Sequence, residues 1–170
     1  IEPVVIEKIT DAQGKTLFEA PPAPVLTDDN RAIPARNAFV MNSLLGDVTR
    51  VGTAARAQTR LKRSDIYGKT GTTNDVLDAW FAGYHPSVAA VVWLGHDKPR
   101  SLGDHESGGR LALPIWTDYM ATALKGVPVS PPGEAPPGLV RMNDDWLYSE
   151  WANGGAVTAI GDSGATEYAG

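Results

Sequence analysis

Lys69-Thr70-Gly71-Thr72-Thr73 brings a cation, three hydroxyls and a bare glycine together within five residues. Read as a strand, the segment shares its side chains between two faces: Lys69, Gly71 and Thr73 point one way, Thr70 and Thr72 the other. An edge strand offers unpaired N–H and C=O groups to an extended peptide, and Gly71 has no side chain to keep a ligand away. Thr hydroxyls donate to a carboxylate, and a Lys ammonium raises the local positive potential. The backbone N–H of Thr72 is suited to stabilising an oxyanion during acyl transfer, a donor worth about 3 kcal/mol in a transition state. The chemistry implied is carboxylate binding beside an acyl-transfer centre. A Thr-rich strand with a bulge at Gly71 accounts for the same five residues.

Other candidate motifs are weaker. Gly68-Lys69-Thr70 has the end of a P-loop, but that pattern needs Gly five residues before Gly68, where Arg63 stands. Nucleotide binding is therefore not expected. Gly161-Asp162-Ser163-Gly164 matches part of the nucleophile loop of chymotrypsin-like proteases, but Ala165 follows it and the surrounding pattern is not that fold's. His85, His96 and His105 are too far apart for a helical or loop metal motif, so structural or surface roles, no metal and no cofactor are expected. Asp75 and Asp78 are each expected to pair with Lys69 or an Arg or to cap a turn, with capping favoured for Asp75.

The elements that must position these residues follow from pattern. Val4 to Ile9 and Thr16 to Glu19 are β-rich and flank a Gly-containing turn, which predicts a hairpin. Residues 34–50 predict a helix, with Pro34 at its first position and Ala38, Met41, Leu44, Leu45 and Val48 on one face. Thr53 to Gln58 suit a further helical turn. Three strands are predicted at about 65–73, 78–84 and 88–95, with links short enough for antiparallel hairpins. Val88 to Leu94 is apolar throughout, so both of its faces are expected to be covered. Leu113 to Lys125 predicts a second amphipathic helix, with Pro114 near its start and Gly126 just past its end. Five prolines between 127 and 138 mark a boundary, and from 141 onward the periodicity is weak. Trp146, Tyr148 and Trp151 are candidates to dock that tail. The fold class is α+β, an antiparallel sheet with packed helices.

Composition narrows the function. The chain has 170 residues, 42% of them hydrophobic, which fits one domain or a large part of one. A net charge of −5 argues against a nucleic-acid partner. The basic cluster Arg56, Arg60, Lys62 and Arg63 reads as a solvated loop. With no cysteine, disulfides and thiolate catalysis are excluded. The longest apolar run, Val88 to Leu94, is far short of the ~20 residues that span a bilayer. Opening on Ile1-Glu2-Pro3, without Met or a basic leader, the chain is expected to be a segment of something longer.

Taken together and in order, several segments strongly resemble the C-terminal half of the transpeptidase domain of class A, bifunctional penicillin-binding proteins. They are Val48-Thr49-Arg50-Val51-Gly52-Thr53-Ala54, Gly68 to Asn74, Asp78 to Tyr84, Val91 to Gly95, Ser107-Gly108-Gly109-Arg110, Leu113-Pro114-Ile115-Trp116 and Tyr119-Met120. The resemblance covers residues 1 to about 140. It implies a β-lactamase/transpeptidase-like fold present only in its C-terminal portion. The expected organisation is part of the transpeptidase domain over 1–126, a Pro-rich linker over 127–140 and a partly mobile tail over 141–170.

Members of that family cross-link peptidoglycan: a Ser attacks the D-Ala-D-Ala bond of a stem peptide, and an amine resolves the acyl-enzyme. β-Lactams acylate the same Ser. The resemblance makes Lys69, Thr70, Gly71, Thr72 and Thr73 substrate-binding residues, with Thr72 supplying the oxyanion-hole N–H. The family's Ser-x-x-Lys and Ser-x-Asn motifs have no counterpart, since no Ser here has Lys three residues on. The nucleophile, a glycosyltransferase domain and the membrane anchor are expected upstream, with the protein on the periplasmic face of the bacterial inner membrane. Expected partners are stem peptides, β-lactams and the N-terminal part of the same protein, or a second copy in an intertwined dimer. The alternative is a non-catalytic peptide- or β-lactam-binding sensor module.

Overall fold

The structure, a computed structural model, describes residues 3–25 and 27–154 and divides into two compact units, Ile1–Ala35 and Arg36–Gly170. In the first, β1 (Lys8–Thr10) and β2 (Thr16–Glu19) form an antiparallel hairpin. The Asp11 carboxylate closes its turn, accepting the N–H groups of Gln13 (3.0 Å) and Lys15 (2.8 Å). The first strand begins at Lys8, later than the β-rich run suggested.

The second unit opens with α1 (Ala35–Arg50), directly after Pro34 as expected. Its apolar stripe is only half used. Val48 packs on the core, whereas Met41 and Leu44 are exposed. A short α2 (Arg56–Leu61) follows. Next come β3 (Tyr67–Thr72), β4 (Ala79–His85) and β5 (Val88–Leu94), an antiparallel sheet in the order β3-β4-β5. The β3–β4 register runs unbroken from Tyr67↔Tyr84 to Thr72↔Ala79, so Gly71 faces Trp80 without a bulge.

Helix α3 (Ala112–Ala123) lies on one face of this sheet. Trp116 meets Phe81 edge-on at 4.8 Å, and its Nε1 donates to the Ala90 carbonyl at 3.1 Å. Ile66, Phe81, Leu113, Trp116 and Met120 form the centre of the core. Burying each such side chain contributes about 2 kcal/mol. Gly126, just past the end of α3, takes the positive φ of 79° that favours glycine there.

Val88 to Leu94 is expected to be covered on both faces, but among the described residues only one face of the sheet is covered. Exposure alternates along β5: Val91 is 62% and Trp93 48% exposed, beside Trp80 at 42%. A uniformly apolar run has no period, so it does not reveal which of its faces is covered.

After 138, two strands form where weak periodicity marked none, and Trp146 and Tyr148 dock as expected. β6 (Leu139–Met142) and β7 (Asp145–Tyr148) form a second hairpin. Trp146 meets Phe39 of α1 edge-on at 5.0 Å, and Tyr148 Oη donates to Asn37 Oδ1 at 2.9 Å. These strands are four residues each, too short to raise a clear alternation in sequence. The Gly161-to-Gly164 motif and the expected mobile end lie outside the described residues.

Candidate functional site

Strand β3 pairs only with β4 among the described residues, so its other edge is unpaired. The hydrogen bonding fixes which groups point outward. Thr73 donates its N–H to the Asp78 carbonyl across the turn at 3.2 Å. In an antiparallel ladder inward and outward residues alternate. The N–H and C=O groups of Thr72 and Thr70 therefore lie on the free edge. Lys69 bears this out: its Nζ donates to the Thr70 carbonyl at 2.9 Å and to Thr70 Oγ1 at 3.3 Å. The ammonium thus sits at the edge, beside the outward N–H groups.

The hydroxyls are held from behind. Thr70 Oγ1 lies 2.9 Å from Thr53 Oγ1. Thr72 Oγ1 accepts the Gly108 N–H at 3.1 Å. The loop carrying Gly108 rests flat on the sheet. A Cβ there would come within 2.2 Å of the Trp80 carbonyl and 2.5 Å of the Gly71 carbonyl, so only glycine fits. The Gly108 carbonyl in turn accepts the N–H groups of Ala112 and Leu113, tying the loop to the start of α3.

Thr73 stands past the end of β3. Its Oγ1 accepts the Asp78 N–H at 2.8 Å and closes the turn to β4. Asp78 Oδ1 accepts the Trp93 indole N–H at 2.8 Å. Asp75 occupies the turn at a positive φ of 60°.

A second polar cluster lies just before β3, and nothing in the sequence marked it. Arg63 was expected in a solvated loop but is buried. Its Nε and Nη2 donate to the two carboxylate oxygens of Asp65 at 2.8 Å each, and Nη1 and Nη2 reach the carbonyls of Val127 and Pro128. Asp65 also takes the Ser130 N–H at 2.6 Å and His85 Nε2 at 3.1 Å. Burial pushes the Asp65 carboxyl up. The Arg63 and Ser130 hydrogen bonds and the Arg63 charge outweigh it, holding the group at about 2. The hydrogen bond to Asp65 pushes Arg63 still higher, against its own burial. Arg63, Asp65 and Ser130 lie far apart in the chain, so no local motif announces them.

Tyr67 and Tyr84 stack at 5.2 Å behind α1, and the Tyr84 hydroxyl donates to Asn42. Burial raises both phenols, with the Asp65 charge adding to Tyr67. The three histidines are not brought together. Among the described residues no three His, Cys, Asp or Glu side chains gather where a metal ion could be held. No described helix is long and apolar enough to cross a membrane.

Of the residues singled out in sequence, the structure brings Lys69, Thr70 and Thr72 to one strand edge. It adds Thr53 and Gly108, whose roles no local pattern marks.

No protein-family model matches the chain. It is 44% identical over 160 residues to penicillin-binding protein 1A of Neisseria flavescens, covering 94% of this chain and 20% of that protein. It is 48% identical over 134 residues to penicillin-binding protein 1A of Pseudomonas aeruginosa, covering 79% of this chain and 15% of that protein. Among solved structures it resembles penicillin-binding protein 1A from Haemophilus influenzae. That match has a TM-score of 0.71 at 33% identity, and covers 82% of this chain and 26% of that one. The chain is thus homologous to a segment of penicillin-binding protein 1A and has the mixed helix and antiparallel-sheet fold of that segment. It spans about a fifth or less of the curated relatives' length.

Proposed function

We propose that this chain, homologous to a segment of penicillin-binding protein 1A, is the C-terminal portion of a serine D-Ala-D-Ala transpeptidase domain that cross-links peptidoglycan stem peptides and is acylated by β-lactams. The observation that carries this reading is the edge of β3, where an ammonium, two outward N–H groups and two braced hydroxyls line up. Lys69 supplies the positive field for a ligand carboxylate. Thr70 and Thr72 supply hydroxyl donors, and Thr73 borders the row with its own proton. Gly71 leaves the strand low. The Thr72 N–H, on the free edge, stabilises the oxyanion.

The nucleophilic Ser, its Lys and a glycosyltransferase domain belong to the upstream part of the longer polypeptide, as does a membrane anchor that holds the protein at the periplasmic face of the inner membrane. The open sheet face bearing Trp80, Val91 and Trp93 is covered by that upstream part, or by a second copy. The Pro-rich 127–140 stretch marks the end of the domain.

The test is labelling with a fluorescent penicillin followed by denaturing electrophoresis. The full-length polypeptide carrying this chain is expected to label, and the 170-residue chain alone is not, because an unactivated Ser is a weak nucleophile. A labelled band from the isolated chain sinks the assignment of the nucleophile. An unlabelled full-length protein points instead to a non-catalytic binding module, a reading favoured only by the lack of Ser-x-x-Lys within these residues.

A further inference from the structure

A hydroxyl has one proton to give and two lone pairs to fill. Counting them along β3 shows what stands behind the carboxylate site. Thr72 Oγ1 already accepts the Gly108 N–H, so its own proton is left for a ligand. Thr70 Oγ1 already accepts one bond from Lys69 Nζ. Its remaining partner is Thr53 Oγ1, at 2.9 Å, and either oxygen of that pair can donate. If Thr53 donates, both lone pairs of Thr70 are filled and the Thr70 proton must point away from Thr53. If Thr70 donates, that proton is lost to a ligand. A bound carboxylate decides between the two, because a hydrogen bond to an anion is about twice as strong as a neutral one.

We propose that Thr53 is a positioning residue for carboxylate recognition: its hydroxyl donates to Thr70 and thereby turns the Thr70 proton toward the ligand, as the Gly108 N–H does for Thr72. Thr53 lies outside β3, in the turn that precedes α2, and touches the ligand only through Thr70. Its neighbourhood is built for the contact. The Gly109 position approaches both partners: a Cβ there would lie 3.1 Å from the Thr53 carbonyl and 3.7 Å from Thr70 Cγ2. The loop of Ser107 to Arg110 therefore seats Thr53 and Thr70 together while its Gly108 N–H serves Thr72. Thr53 is itself exposed, so replacing it disturbs packing little.

The proposal rests on the reading of β3 as the carboxylate-binding strand, and the experiment separates the two. Acylation rate constants of the full-length polypeptide are measured with benzylpenicillin and with its methyl ester, which lacks the carboxylate charge. Wild type, Thr53→Val, Thr53→Ser and Lys69→Ala are compared. The carboxylate-to-ester rate ratio is expected to fall about fivefold in Thr53→Val, the value of the one neutral hydrogen bond by which Thr53 supports Thr70. It is expected to hold within about twofold in Thr53→Ser, which keeps the donor. A purely structural defect lowers both rates together and leaves the ratio unchanged. An unchanged ratio in Thr53→Val alongside a fallen ratio in Lys69→Ala overturns the role of Thr53 and leaves the strand's role standing. An unchanged ratio in both variants, or a wild-type protein acylated by neither compound, overturns the reading of β3 and the role of Thr53 with it.

Discussion

Two polar clusters sit at the two ends of β3, and they differ in what they leave open. At the start, Asp65 is 3% exposed and its carboxylate receives Arg63, His85 and the Ser130 N–H. Both carboxylate oxygens there are held by the chain itself. At the far end, Lys69 and Thr72 are exposed, the N–H groups of Thr70 and Thr72 point off the free edge, and hydroxyl protons are unspent. A closed cluster holds a fold together; an open one awaits a ligand. Partner counting separates the two roles where residue type cannot, since both clusters join a cation to oxygen atoms.

The largest effect is expected in the closed cluster. Asp65→Ala leaves Arg63 buried without its counter-ion, and removing one partner of a buried pair costs about 3–5 kcal/mol. The urea midpoint of the variant should fall accordingly, or the protein should fail to fold. A loss under about 1 kcal/mol would place Asp65 among surface pairs and erase the contrast. The open cluster should answer in the opposite way. Lys69→Ala in the full-length polypeptide is expected to slow acylation by about 10²-fold while shifting stability by no more than about 0.5 kcal/mol. An unfolded or strongly destabilised Lys69→Ala would make the edge structural as well.

How much of this could be read from the chain depends on how local each feature is. The 34–50 helix, the three sheet strands and the helix with Pro114 in its first turn were legible because periodicity, Pro and Gly positions and short links all act within a few residues. Lys69 to Thr72 was legible as a site for the same reason. The Asp65 cluster was not, because its partners span residues 63 to 130 and a run of basic residues looks solvated until a distant carboxylate is known to meet it. The open face of β5 was hidden by its uniform apolarity, and the 139–148 hairpin by its brevity. Thr53 lies 17 residues from Thr70, and only the fold brings the two together.

Acid should sharpen the comparison at a smaller scale. Asp65 titrates at about 2 in the folded chain, below its ordinary 3.8. A lowered carboxyl stabilises the fold fully above the unfolded value, and that stabilisation is lost as pH falls through the folded one. The difference amounts to about 2 kcal/mol. Between pH about 4 and about 2 the wild type should lose stability more steeply than Asp65→Asn, which has no such proton to take up. Urea midpoints measured at several pH values in that window give both slopes. Equal slopes would mean that the Arg63 and Ser130 contacts do not hold the carboxylate as the geometry indicates.

The smallest effect should come from a polar pair that is neither closed nor open toward a ligand. Arg60 on α2 meets Asp118 on α3, joining two helices that both pack near the core. Their side chains are 58% and 61% exposed, so water competes for every charge and the pair gains little over its hydrated parts. Asp118→Asn keeps the side chain's shape and removes only its charge. Its expected cost is below about 0.5 kcal/mol, with acylation of the full-length polypeptide unchanged, because neither residue reaches the β3 edge. The geometry alone suggests a strong bond; the exposure says otherwise, and the two disagree by several kcal/mol if the pair is treated like Arg63–Asp65. A urea midpoint for Asp118→Asn that falls as far as that of Asp65→Ala would show that contact geometry, not closure against water, sets the worth of these pairs.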